Sequence, residues 1–296
     1  MTADLQTGVV YALVAGGLWG IAPLLLKRGM ARSNVSTATL IEQVVSVVFL
    51  AILTVVQGQL AYSEISAKAF WSFAAAGMVG ASFGKIFYYK GIDKVGASKA
   101  TSVKNSSPIL TTILAVLFLG EELTWPIAVG VVAIVVGIGV LTQAEIKGDG
   151  RPSRIIYFLY PLLAAVCFGI NPVFKKLGVD AFNLPTFGAL ITQGTALAMM
   201  LTAGRFLKIK PEWTPVPMTS LALFSLSGIT EALGSLFTFY ALLHAPAILV
   251  SPIWRISPLV TFVLVHFALR GIEVVTLRDG VAATLIVGGI FVLGWI

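Results

Sequence analysis

Apolar runs of about 20 residues, separated by short clusters of polar and turn-forming residues, recur along the whole chain. A helix needs about 20 mostly apolar residues to cross about 30 Å of hydrocarbon. Ten stretches meet that requirement: residues 8–27, 36–57, 70–90, 97–119, 125–143, 155–175, 185–206, 218–243, 246–269 and 276–296. The breaks between them have the chemistry of turns, at Gly29 to Asn34, Gln57 to Ser66, Lys90 to Gly96, Gly120 to Thr124, Lys210 to Pro217 and His244 to Pro246. The pattern predicts an all-α integral membrane protein of ten transmembrane helices. Its most polar stretch, EIKGDGRPSR at 145–154, falls at the centre and is expected to link two halves, 1–144 and 155–296. The remaining loops are too short for a soluble catalytic domain, so function is expected among the helices.

Sliding the second half over the first gives a consistent match at an offset of 149–150. Trp19-Gly20-Ile21-Ala22-Pro23 lies over Phe168-Gly169-Ile170-Asn171-Pro172, and Lys27-Arg28-Gly29 over Lys176-Leu177-Gly178. Leu40-Ile41-Glu42-Gln43 lies over Leu190-Ile191-Thr192-Gln193, Gly84 over Gly234, Phe87 over Phe237, and Ser107-Pro108 with Thr111 over Ser257-Pro258 with Thr261. Each half holds an odd number of spans, so the second is expected to enter the membrane inverted relative to the first. Inverted repeats are a common plan for secondary transporters, with the substrate near mid-bilayer at the repeat interface.

The order of Leu18-Trp19-Gly20 with Pro23 in the first span, Gly-Glu-Glu-Leu-Thr at 120–124, and Ser-Pro inside the fourth and ninth spans resembles the drug/metabolite transporter superfamily, EamA-like branch. The resemblance covers nearly the whole chain, although in the second half the Gly-Glu motif has decayed to Gly271-Ile272-Glu273-Val274-Val275-Thr276. It implies a ten-helix basket whose central cavity, lined mainly by the first, third, fourth, sixth, eighth and ninth helices, alternates between the two faces. It also implies a multi-pass protein of a prokaryotic inner (plasma) membrane.

Composition agrees with a lipid environment: 57% hydrophobic and 11% charged residues, against about 25% charged in soluble domains. The 20 Lys+Arg against 13 Asp+Glu form no continuous patch, so the +7 balance reads as positive-inside topology and nucleic acid is not expected. Loop cations Lys27, Arg28, Arg32, Lys90, Lys94, Lys147, Arg151, Arg154, Arg205, Lys208 and Lys210 lie away from the termini, whereas the terminal side offers mainly Lys68, Lys175 and Lys176. That bias predicts both termini outside the cytoplasm. The N-terminal MTADLQTG has no basic n-region, so the first segment is expected to be a retained span.

Five ionisable residues fall within spans: Lys85, Lys104, Arg255, Glu42 and Glu231. Each costs about 2.5–3.5 kcal/mol on insertion scales, so each needs a partner, water or a function. Lys104 begins a polar stripe with Ser107, Pro108 and Thr111 on one helical face. Across an inverted repeat, Lys104 and Arg255 are expected to converge on one anionic group, with Arg as a fork and Lys as a point charge. The alternatives are structural ion pairs with Glu42 and Glu231, or snorkelling. Lys85, beside Tyr88 and Tyr89, fits a site or a snorkelling position equally. Glu231 fits a proton-coupling carboxylate or a charge neutralising Arg255, and Glu42, nearer a helix end, a structural role.

Asn171 replaces Ala22 of the first half and is expected to find a partner in an unwound turn before Pro172. Pro23, Pro172, Pro108 and Pro258 are expected to break or bend their helices. Trp19, Trp254, Tyr88 and Tyr240 are candidates to wall a pocket, with Trp254 favoured beside Arg255. His266 reads as interfacial and His244 as a turn residue.

The lone cysteine, Cys167, allows no disulfide, and two isolated histidines supply no metal cluster. Neither a phosphate-cradling G-x-x-x-x-G-K-[ST] nor H-E-x-x-H occurs, so no enzyme activity, cofactor or ATP hydrolysis is expected. The leading expectation is a secondary transporter, an exporter or exchanger, of a small anionic or zwitterionic metabolite such as an amino acid, organic acid or phosphate ester. Protons or a counter-substrate would drive it, in a monomer or homodimer. The rivals are proton-coupled efflux of lipophilic cations through Glu42 or Glu231, and a non-transporting membrane interaction subunit.

Overall fold

The computed structural model describes residues 3–30, 33, 35–59, 66–95, 100, 103–144, 155–206, 216–268 and 277–294. The linker at 145–154, the decayed motif at 271–276, and the side chains of Lys27, Tyr89 and His266 lie outside what is described. Among the described residues every regular element is helical. In the first half these are α1 (Ala3–Gly29), α2 (Val35–Val56), α3 (Ala67–Ala76), a π-helical stretch Gly77–Gly84, α4 (Lys85–Val95), α5 (Ser107–Leu119) and α6 (Trp125–Ala144). In the second they are α7 (Leu159–Ala181), preceded by a short 3-10 turn Ile155–Phe158, α8 (Pro185–Phe206), α9 (Met218–His244), α10 (Ala247–Trp254), α11 (Ser257–Ala268) and α12 (Leu277–Gly294).

With α3, the π stretch and α4 taken as one crossing, and α10 with α11 as another, the described chain crosses ten times. Four helices, Ala3–Leu26, Thr37–Val56, Ile155–Ala181 and Met218–His244, are each long and apolar enough to span a bilayer. Their exterior explains why lipid is required. Ile52, Val56, Leu117, Phe118, Val132 and Phe291 point outward, where a water-soluble fold would carry charge.

The two halves are woven through each other. Helix α1 lies along α9 and α11, while its counterpart α7 lies along α3, the π stretch, α4 and α5. Helices α6 and α12 pack on one another away from this centre. In lipid there is no hydrophobic drive between helices, so close packing must come from small residues and hydrogen bonds. The repeat supplies both twice. A Cβ on Gly20 would lie 2.6 Å from Val260, and one on Gly169, its counterpart, 2.9 Å from Leu110. Beside these crossings Thr111 Oγ1 donates to Gly169 O at 2.9 Å and Thr261 Oγ1 to Gly20 O at 2.8 Å. Equivalent residues make equivalent bonds, with the halves exchanging roles.

Candidate functional site

The fourth and ninth crossings are both interrupted, at Asn105-Ser106 and Arg255-Ile256. The amides of Ser106 and Arg255 reach back only three residues, to Val103 O and Pro252 O, each at 3.2 Å, and Ser106 Oγ also takes Val103 O at 2.7 Å. A fresh helix then starts at Ser107-Pro108 and at Ser257-Pro258. There a proline in the first turn lacks only an amide that would have had no helical partner. Pro108 and Pro258 therefore stand in the first turn of the helix that restarts after each break. Pro23 and Pro172 sit inside unbroken α1 and α7, Pro23 facing outward and Pro172 buried.

The breaks place the cations. Lys104 Nζ lies 4.4 Å from the centre of the Tyr88 ring and 5.7 Å from that of Phe168. Arg255, from the opposite half, lies 5.5 Å over the same Phe168 ring and donates a long bond, 3.4 Å, to Phe168 O. Its Nε is buried without a partner among the described residues, as are Ser107 Oγ and Trp19 Nε1. Trp254 is 3% exposed and meets Trp19 edge to face at 5.9 Å. Lys104 and Arg255 are thus brought together at Phe168, with Tyr88 beside Lys104, while Trp254 packs on Trp19. Tyr240 instead packs on Tyr11, the rings tilted by 40° with centres 5.5 Å apart.

Two carboxylates flank this cluster. Glu42, 7% exposed, accepts a bond from Ser227 Oγ at 3.0 Å and lies in electrostatic range of Lys85 and Glu231. Glu231 accepts a long bond, 3.4 Å, from Gln193 Nε2. Between them Gln43 Nε2 donates to Gln193 Oε1 at 2.9 Å. Glu42 is therefore an interior residue, and Lys85 stands within range of it. Asn171 takes its partner from the other half: Nδ2 donates to Ala76 O at 2.6 Å, where α3 enters the π stretch, while α7 runs on through Pro172. The expected unwound turn is absent there.

Two residues had a place in the structure that the sequence concealed. Lys175, assigned to a loop, is 5% exposed inside the bundle, its Nζ 5.1 Å from the Phe239 ring and 5.8 Å from those of Trp19 and Trp254. Its spacing of seven from Phe168 on one helix was the available signal. Glu121, in the turn after α5, accepts the amides of Ala247 at 2.7 Å and Ile248 at 2.8 Å, capping α10 of the other half. Burial holds its carboxyl above the ordinary value, the two amide bonds opposing the rise. On the same face Lys176 bonds Leu242 O at 2.8 Å and Asp180 at 3.0 Å, and His244 meets Asp4 at 2.5 Å. The Glu121 and Asp4 contacts tie the halves together on the face that carries the N-terminus.

The EamA-like transporter family matches residues 6–143 and again 155–295, once for each half. Among curated proteins, a Clostridium kluyveri "uncharacterized transporter" is 29% identical over 44% of the chain and 42% of its own length. A Rickettsia conorii "S-adenosylmethionine uptake transporter" is 28% identical over 54% of the chain and 50% of its own length. The chain thus spans about half the length of the curated relatives it matches. A solved crystal structure of 18% identity has the same fold, with a TM-score of 0.76 over 96% of the chain and 95% of its own.

Proposed function

The chain belongs to the EamA-like transporter family, an integral multi-pass membrane transporter, and we propose that it is a secondary carrier of a small anionic or zwitterionic metabolite. In this reading the central site opens alternately to the two faces of the membrane, for export or exchange. The observation that carries the reading is the convergence of Lys104 and Arg255 on Phe168 from the two interrupted crossings. Both cations are held by ring faces and one long carbonyl bond, which leaves donors for a ligand. Lys85 and Asn171, at the third and sixth crossings respectively, border the same interior. The Rickettsia relative's named solute, S-adenosylmethionine, carries a zwitterionic amino-acid group beside a sulfonium cation.

The test is thermal unfolding of the purified protein in detergent against amino acids, organic acids and phosphate esters. A specific ligand raises the midpoint by mass action. Anions should protect the wild type and fail to protect the Lys104→Ala, Arg255→Ala double variant. Equal protection of both proteins would sink the anion reading. A second reading, proton-coupled efflux of lipophilic cations, draws on Glu42 and Glu231 lying in range of each other. It requires Glu42→Gln or Glu231→Gln to abolish transport while the two cation variants remain active.

A further inference from the structure

We infer that Asn171 is a positioning residue for the cation site: it holds the third crossing in its π register, and that register turns Tyr88 toward Lys104. The inference rests on the carrier reading above, in which Lys104 meets the solute. Asn171 Nδ2 donates to Ala76 O at 2.6 Å, where α3 passes into the π stretch Gly77–Gly84. Within the stretch Ser82 Oγ donates to Gly77 O, five residues back, and just ahead of it Thr192 Oγ1 of α8 donates to Phe73 O. A π-helix closes its bonds over five residues where an α-helix uses four. One such stretch therefore turns everything beyond it by about one residue's advance, roughly 100°. Helix α4 begins directly after it at Lys85, and Tyr88, in its first turn, presents its ring 4.4 Å from Lys104 Nζ. In an unbroken α-helix Tyr88 would face elsewhere.

The other half supplies a natural control. Its eighth crossing, α9, is α-helical from Met218 to His244, with no π stretch. Glycine alone does not separate the two crossings, since Gly84 and Gly234 are counterparts. What separates them is an exchange of bulk at two repeat positions. Asn171 stands where the first half has Ala22, and Gly80 stands where the second half has Thr230. A Cβ on Gly80 would lie 2.2 Å from Asn171 Nδ2 and 2.7 Å from its Cβ. The amide therefore fits only against a glycine, and Asn171 with Gly80 is replaced as a unit by Ala22 with Thr230. An amide without a partner is costly in hydrocarbon, so Asn171 is held to Ala76 O, and the register with it. Phe168, the other ring beside Lys104, lies three residues before Asn171 on α7 and shares its face. One helix thus sets both rings, Phe168 directly and Tyr88 through the π stretch.

The register can be read without a ligand. The seven tyrosines of the intact protein are replaced by fluorotyrosine, and the Tyr88 fluorine resonance is identified as the one lost in Tyr88→Phe. Spectra are then recorded in detergent with and without Lys104→Met. In the wild type, removing the ammonium should shift the Tyr88 resonance. Asn171→Leu keeps the bulk, removes the donor and should abolish that response. Asn171→Ala with Gly80→Thr installs the pair of the other half and should do the same, which keeps the test open if the first variant does not fold. The resonances of Tyr11 and Tyr240, on α1 and α9, should stay in place and show that the fold is kept. Affinities for glutamate, succinate and phenyl phosphate come from quenching of tryptophan fluorescence. Binding of at least one probe should weaken about threefold or more in both variants. A Tyr88 resonance that ignores Lys104→Met in the wild type, or a response that survives in either variant, overturns the assignment and leaves the carrier reading standing. A lost response with unchanged affinity overturns the positioning role. Failure of all three probes to bind the wild type overturns the carrier reading and leaves the register assignment intact.

Discussion

Gln43 and Gln193, repeat counterparts 150 residues apart, are hydrogen-bonded to each other, Nε2 of the first to Oε1 of the second at 2.9 Å and to its backbone O at 3.0 Å. A residue can meet its own counterpart only on the axis that relates the two halves. The bond therefore marks the pseudo-twofold axis, beside which Glu42 is bonded to Ser227 and Glu231 to Gln193.

Removing one member of a buried polar pair strands the other, whereas removing both is far less costly. Gln43→Leu and Gln193→Leu should each lower the thermal midpoint in detergent, Gln193→Leu more, because Gln193 also holds Glu231. The double variant should recover a coupling energy of about 0.6–2 kcal/mol. Strict additivity in the cycle would mean that the two amides do not bond in solution.

Glu121 gives a prediction with a defined sign. Its carboxyl binds a proton more tightly in the folded chain than in the unfolded one, because burial raises it above 4.5. The associated stability is then complete below the ordinary carboxylate value and is lost as pH rises through the raised one. Glu121→Ala strands the amides of Ala247 and Ile248 and should cost roughly 2–3 kcal/mol. The gap in melting temperature between wild type and variant should be wider at pH 4 than at pH 8. A gap that widens upward in pH would show that the amide bonds outweigh burial.

Much of the centre was legible because its determinants recur in sequence. Ser107-Pro108 and Ser257-Pro258 announced both restarted helices, and Gly20 and Gly169 both close crossings. The intramembrane cations Lys104 and Arg255 stood out because charge is expensive in lipid. Lys175 did not, since the Lys175-Lys176 pair sits where an apolar run of ordinary length would end. Helix α7 continues to Ala181, which carries Lys175 inward and leaves only Lys176 to ties with Leu242 and Asp180. Glu121 was hidden for another reason: its partners are backbone amides more than a hundred residues away, and amides have no sequence signature. The π stretch was equally silent, because glycines in a helix read as packing residues until Asn171 is seen reaching Ala76 O.

The paired glycines Gly84 and Gly234 should respond unequally to the same substitution. A Cβ at Gly234 would lie 2.7 Å from Trp19 Nε1, whereas one at Gly84 would lie 3.3 Å from Phe168 and Cys167. Overpacking typically costs about 1–3 kcal/mol. Gly234→Ala should fall in that range and weaken anion protection, since the displaced indole also meets Trp254, the chain neighbour of Arg255. Gly84→Ala should cost under about 1 kcal/mol, with protection unchanged. Thermal unfolding with and without phenyl phosphate separates the two, and equal responses would count against the close Trp19 contact.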